Sequence, residues 1–167
     1  MVRAPICEVC QRSDFLCPAD EEKLKRGEIS ELDVRISRIL YDLDSKYRIG
    51  DTVEFVRAFD MGSFVLILVR GEIGRLIGKN GKVLRAFRRA VGKPLRIVEI
   101  DVDTKKTVQD LFGNVRVAGV NIIFKPEGKA YRILIPRREI RFLSFPFPHV
   151  KKALEIVLDA PFEIKYV

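Results

Sequence analysis

Apolar positions along the chain follow two periods, and the periods succeed one another in a fixed order. Leu32, Ile36, Ile39, Leu40 and Leu43 recur at helical spacing and define one apolar face. Just ahead, Ser30-Glu31-Leu32-Asp33 has the form of a capping box, with Asp where Glu or Gln is usual. Thr52–Phe59 and Phe64–Arg70 are rich in β-branched and aromatic residues and predict two strands, joined by a turn at Asp60-Met61-Gly62. A short helix is expected over Glu72–Ile77, followed by the connection Gly78-Lys79-Asn80-Gly81. The next helix should bury Val83, Ala86, Phe87, Ala90 and Val91 and turn Lys82, Arg85, Arg88 and Arg89 outward. Gly92-Lys93-Pro94 stops that helix, and Leu95–Val102 reads as a closing strand.

The same order then recurs. An offset of 67 positions aligns Phe64–Ile100 with Tyr131–Val167 without a gap. It pairs identical residues at Arg70 and Arg137, Glu72 and Glu139, Ile73 and Ile140, Leu76 and Leu143. Further on it pairs Val83 with Val150, Ala86 with Ala153, Pro94 with Pro161 and Ile97 with Ile164. Many other aligned positions exchange one apolar residue for another, so one small fold is present twice. The second copy predicts a helix around Thr104–Phe112, strands Val115–Phe124 and Lys129–Pro136, two helices, and a strand Pro161–Val167. The expected architecture is α+β: residues 1–29 as a cysteine-bearing leader, then units at 30–102 and 103–167. Each unit is near the lower size limit for an independent core, so the two should pack together as a rigid tandem.

Composition excludes several classes. The chain has 167 residues and is 47% hydrophobic, an ordinary globular balance. Its longest apolar run, Phe64–Val69, is far too short to span a bilayer, so no membrane association is expected. Met1-Val2-Arg3-Ala4-Pro5-Ile6-Cys7 has no signal-peptide pattern, and a cytoplasmic location is expected.

The net charge is +8, and its location carries more information than its size. Between Arg70 and Arg96 lie Arg70, Arg75, Lys79, Lys82, Arg85, Arg88, Arg89, Lys93 and Arg96, against Glu72 alone. The bases and acids of the remaining chain cancel. A charge run is usually a solvated helix face. Here, one stretch flanking a glycine loop holds the entire excess, which points to a phosphate-facing surface.

A GxxG turn alone carries little information. Between two helices, after a strand and inside a basic stretch, Leu76-Ile77-Gly78-Lys79-Asn80-Gly81-Lys82-Val83-Leu84 resembles the loop of a KH domain. The order helix-strand-strand-helix-helix-strand resembles the type II form. The resemblance implies that the loop clamps the backbone of single-stranded RNA. Gly78 and Gly81 would allow close approach, and Lys79, Asn80 and Lys82 would face the strand. Arg75 and Arg85 would add charge, and Ile77, with Ile73 and Val83, would form an apolar floor for bases. The plainer reading is an ordinary turn between helices.

The whole chain resembles the archaeal NusA-like proteins, which carry two KH domains in tandem. The resemblance runs through the leader, Gly27-Glu28-Ile29-Ser30-Glu31-Leu32-Asp33, the first unit, and Val115–Val120. It implies a transcription termination or antitermination role with RNA contact. Alternatives are a ribosome-associated or ribosomal-RNA-binding assembly factor, or a protein-docking module on RNA polymerase or the ribosome.

The cysteines occur as Cys7-x2-Cys10-x6-Cys17-x2-Asp20. This spacing suggests a small knuckle holding one structural zinc through Cys7, Cys10, Cys17 and Asp20. In relatives the fourth position is often cysteine. A site that has lost its metal, or a disulfide such as Cys7–Cys10, is the alternative. In the second unit Phe145-Pro146-Phe147-Pro148 stands where the first has its glycine loop. Arg137–Val167 carries only a modest positive excess, so this copy is expected not to clamp RNA. Phe145 and Phe147 are expected to pack rather than stack on bases. The lone histidine, His149, has no nucleophile or carboxylate arrangement beside it and reads as structural. No nucleophile elbow, P-loop or paired-carboxylate motif is recognisable, and the chain is expected not to be an enzyme.

Overall fold

The computed structural model describes residues 1–167. Two short helices, α1 (Glu8–Gln11) and α2 (Pro18–Lys25), precede a long helix, α3 (Glu31–Tyr47). Strands β1 (Val53–Asp60) and β2 (Val65–Gly71) follow. Then come α4 (Ile73–Ile77), a single 3-10 turn (Lys79–Gly81), α5 (Lys82–Val91) and β3 (Leu95–Glu99). The second half runs α6 (Thr104–Phe112), β4 (Gly119–Lys125), β5 (Gly128–Ile135), a 3-10 turn (Ile140–Phe142), α7 (Phe147–Leu158) and β6 (Phe162–Tyr166).

Each half contains one three-stranded sheet, ordered β1-β2-β3 and β4-β5-β6. In both, the first pair is antiparallel and the second is parallel. The internal repeat therefore extends to strand direction. Its offset maps β3 directly onto β6 and brings α5 onto α7. The strand pairing itself slips by one residue, with Val65 opposite Leu95 but Tyr131 opposite Phe162.

The start of α3 fixes the first sheet. Ser30 and Asp33 form the reciprocal capping box anticipated from the sequence. Asp33 does more than cap. Fully buried, it also accepts from the Ala58 amide (2.6 Å) and from Arg57 Nε (3.0 Å). Those partners lie just past the irregularity in β1 between Phe55 and Arg57. A short carboxylate at this cap thus ties helix to strand where the strand's own ladder is interrupted.

Alternation along β2 sends residues into two cores. Val65, Ile67 and Val69 pack with Ile36, Leu40 and Phe87 beneath α3 and α5. Phe64, Leu66 and Leu68 face the other way and join Val108, Phe112, Ile133, Val150 and Leu154 of the second half. The first sheet is thereby covered on both faces, and the halves share a core. His149 reinforces the junction: its Nδ1 lies 2.8 Å from Ser63 Oγ in the β1–β2 turn.

The leader is less separate than its composition suggests. Arg3 pairs with the outer edge of β1, its amide donating to Val53 O (3.0 Å) and its carbonyl accepting from Phe55 N (2.8 Å). Ile6, Cys10, Ile29 and Val34 form a small third core against α3.

Several expectations need correction. The strand expected over Val115–Phe124 begins only at Gly119, because Val115 and Val117 are drawn into the shared core. The closing strand ends at Glu99 rather than Val102. The first of the two helices expected after β5 is reduced to the 3-10 turn Ile140–Phe142, which ends where Leu143 turns extended (φ −62°, ψ 120°) ahead of Phe145-Pro146. In α5, Ala90 is exposed rather than buried.

Candidate nucleic-acid interface

The glycine loop lies between α4 and α5. Gly78 has φ 74° and ψ 173°, a conformation accessible essentially to glycine. A Cβ there would come 2.5 Å from Val83 Cγ2. Asn80 (φ 57°, ψ 26°) and Gly81 (φ 72°, ψ 18°) are both left-handed, which turns the chain sharply into α5. Lys79 and Asn80 are exposed at the tip. Arg85 reaches back from α5 and donates to Asn80 O (2.5 Å), bracing the loop from its own helix.

The structure brings Gly78, Lys79, Asn80, Gly81, Lys82 and Arg85 together on one surface. Ile77 is exposed at 39% and borders it. Two sequence-derived roles change. Val83 is only 6% exposed, a core residue beneath Gly78 rather than a floor for bases. Arg75 is engaged by Glu72 (2.7 Å) and reaches Ile49 O, which spends part of its charge within the protein.

Pairing sorts the basic stretch. Arg70 bonds Glu54 and Asp101, Arg75 bonds Glu72, and Lys93 bonds Asp60 at 2.8 Å. Lys79, Lys82, Arg85, Arg88, Arg89 and Arg96 have no carboxylate within 4.0 Å. These unpaired cations run from the loop along the outer side of α5 to the junction of the halves. Beside them lie two openings. One, of about 390 Å³, is lined by Arg85, Arg88, Arg89, Gly92, Lys93 and Pro94. The other, of about 370 Å³, is bounded by Leu84, Arg85, Arg88, Arg96, Ser144 and Phe145.

Arg88, Arg89 and Arg96 belong to this surface although the loop motif does not single them out. The signal for Arg96 was present in strand alternation: it sits opposite Leu66, on the face that Leu68 and Val98 bury. Arginine is seldom buried without a partner, so an inward strand position marks it as a candidate for binding an anion.

In the second half the loop has the opposite character. Phe145 packs on Phe64, ring centroids 4.5 Å apart, so the expectation of packing holds for this ring. Phe147 remains 37% exposed at the start of α7.

At the other end of the first half, Cys7, Cys10, Cys17 and Asp20 converge, their ligand atoms all within 4.8 Å of one another. All three cysteines are free thiols. Cys7 and Cys10 sulfurs are 3.4 Å apart, and Cys10 Sγ accepts from the Cys17 amide at 3.0 Å. The Cys7 amide donates to Asp20 Oδ2 at 2.9 Å. Tetrahedral metal bonded to sulfur at about 2.3 Å separates sulfurs by roughly 3.8 Å, which these distances accommodate. Burial pushes the Cys10 thiol up to about 12. Burial also opposes ionisation of Asp20, but the Cys7 amide and the thiols outweigh it and hold that carboxyl below its usual range. Three thiols and a carboxylate in this geometry can hold a metal ion.

No helix is long and apolar enough to cross a membrane. No protein-family model and no curated protein matches the chain. Among solved structures, the chain is similar to the crystal structure of APE1850, with 24% identity and a TM-score of 0.54. The match covers 77% of this chain and 96% of that one. At this identity the likeness is one of fold, and it is consistent with a small two-domain α+β protein.

Proposed function

We propose that this chain binds single-stranded RNA, and that Gly78–Gly81 is the clamp of a type II KH domain in its first half. The observation that carries the reading is the setting of the loop. Two glycines hold a tight, open turn between helices, and six cations without carboxylate partners surround it: Lys79 at its tip, Lys82, Arg85, Arg88 and Arg89 on α5, and Arg96 on β3. Glycine backbone lets sugar and phosphate approach the main chain, and Lys79 and Lys82 neutralise the phosphates. The order helix-strand-strand-helix-helix-strand in the first half supports the KH reading. The second half is its degenerate copy: Pro146 and Pro148 lack amide donors, and the Phe145 ring is committed to Phe64.

Resemblance to the archaeal NusA-like proteins supports a cytoplasmic role in transcription elongation or termination, without enzymatic activity. Cys7, Cys10, Cys17 and Asp20 hold one zinc, which fixes the leader; the fit of the donor distances supports this. A second reading, docking on RNA polymerase or the ribosome through protein contacts, is favoured by one observation. Ile122 and Phe124 on β4 are 46% and 77% exposed.

Salt dependence separates the two readings. For single strands, log affinity falls against log salt with a slope of about 0.7 per neutralised phosphate. Binding of a labelled oligouridylate, measured by fluorescence anisotropy across a chloride series, should weaken steeply. Affinity that is flat across the series would favour docking through the apolar β4 surface.

A further inference from the structure

Arg96 is a charged group in an unusual position. It lies on the face of β3 that the second half covers, and its Nε is buried with no hydrogen-bond partner. No carboxylate pairs with it. Its guanidinium stands over the Phe145 ring, Cζ 4.9 Å from the centroid. On another side it meets Gly113, where a Cβ would come 2.4 Å from Nη1. The second half thus fixes this guanidinium through a ring beneath it and a glycine that makes room for it.

An arginine does not escape the cost of burial by losing its proton, because a guanidinium is too strong a base to be neutral in a protein. Burial lowers its proton affinity here and no carboxylate offsets that. A partly desolvated cation without a counter-charge is destabilising unless an anion completes it. The 370 Å³ opening beside Arg96 is also bounded by Arg85, Arg88 and Ser144, with no acidic residue in its wall. Arg85 is partly used by Asn80 O, which leaves Arg88 and Arg96 as the free guanidinium groups.

We propose that this junction pocket is a phosphate-binding site, with Arg88 and Arg96 as its principal ligands and Ser144 as a hydroxyl donor. Planar guanidinium forks match the oxygens of a phosphate and bind them through paired charge-assisted hydrogen bonds. The pocket is assembled from both halves, so phosphate would also clasp them together. It adjoins the glycine loop through Arg85, but its principal ligands lie outside the loop and it does not require that the loop bind RNA. The phosphate can come from a nucleic-acid backbone or from a free phosphate compound.

The test uses the whole chain and two variants, Arg96→Met and Arg88→Gln. Thermal unfolding is followed in chloride and in inorganic phosphate at matched ionic strength. The parent should melt several degrees higher in phosphate, and each variant should lose most of that rise. Arg96→Met should melt no lower than the parent in chloride, since it removes a partly buried charge without a counter-ion and keeps an apolar stem. Arg88→Gln, at an exposed position without a partner, guards against a folding defect at Arg96. A parent without a phosphate-specific rise, or variants that retain it, would overturn the proposal. An oligouridylate titration then identifies the source: a loss of about tenfold in both variants, with a shallower salt slope, assigns it to the nucleic-acid backbone. Unchanged oligonucleotide affinity beside a lost phosphate response assigns it to a free phosphate compound. Lys79→Asp with Asn80→Asp should keep the phosphate response, so failure of the loop and failure of the pocket are distinguishable.

Discussion

Single residues carry the local geometry. Gly78 combines a backbone conformation closed to other residues with a Cβ position 2.5 Å from Val83. Gly78→Ala is expected to cost about 1–3 kcal/mol, read as a lower denaturant midpoint at unchanged slope. Asp33 is the other such position. Asp33→Ala leaves the Ser30 and Ala58 amides without their acceptor and Arg57 without its charge partner. The expected loss is about 3 kcal/mol; a change below ~0.5 kcal/mol would show that the carboxylate only caps. The capping box was legible because its partners lie within one turn. The bonds from Asp33 to Arg57 and Ala58 were not, since they depend on a strand irregularity that sequence does not announce. The inward position of Arg96 was half legible, through alternation, but what covers it was not.

At the scale of elements, the leader has little core of its own: Arg3 adds to the β1 edge beside buried Val2, and Ile6 and Cys10 pack against Ile29 and Val34. Metal binding in such an element is largely its folding energy. Metal analysis should find about one equivalent of zinc, and Cys7→Ser should lose it together with amide protection before Gly27. The pH dependence distinguishes the filled from the empty centre. In the metal-free protein, Cys10 has a folded pKa raised from 9.0 to about 12. Its contribution is therefore complete below pH 9.0 and is lost as pH rises toward about 12. Asp20, with its folded pKa lowered, contributes above the usual carboxylate range and loses that as pH falls through the folded value. With zinc bound, the thiols are already ionised. The alkaline loss should then vanish, and acid should release the metal by protonating its ligands. The cysteine spacing made this cluster legible. That Asp20 would be buried, and bonded to the Cys7 amide, was not.

The whole molecule is held by a core that belongs to both halves. Phe64, Leu66, Leu68 and Val98 come from one, and Val108, Leu111, Phe112, Val150 and Leu154 from the other. The internal repeat made two copies legible, and their small size suggested a tandem. That β2 would serve two cores follows from a near-continuous apolar run, which periodicity alone cannot assign to one face or to two. Calorimetry should give a single cooperative transition with matching calorimetric and van't Hoff enthalpies. Phe64→Ala should lower stability by about 3–5 kcal/mol without splitting that transition. Two separated transitions would mean that the halves unfold independently.

RNA recognition at the first loop is the central claim, and one substitution pair tests it most directly. Lys79→Asp with Asn80→Asp puts two carboxylates at the exposed tip while keeping both glycines, and aspartate tolerates the left-handed position of residue 80. Stability should change by no more than ~0.5 kcal/mol. Anisotropy of a labelled oligouridylate should show affinity falling at least about tenfold, or ~1.4 kcal/mol. A double variant that folds as the parent does and binds the oligonucleotide equally well would contradict the assignment of this loop as an RNA clamp.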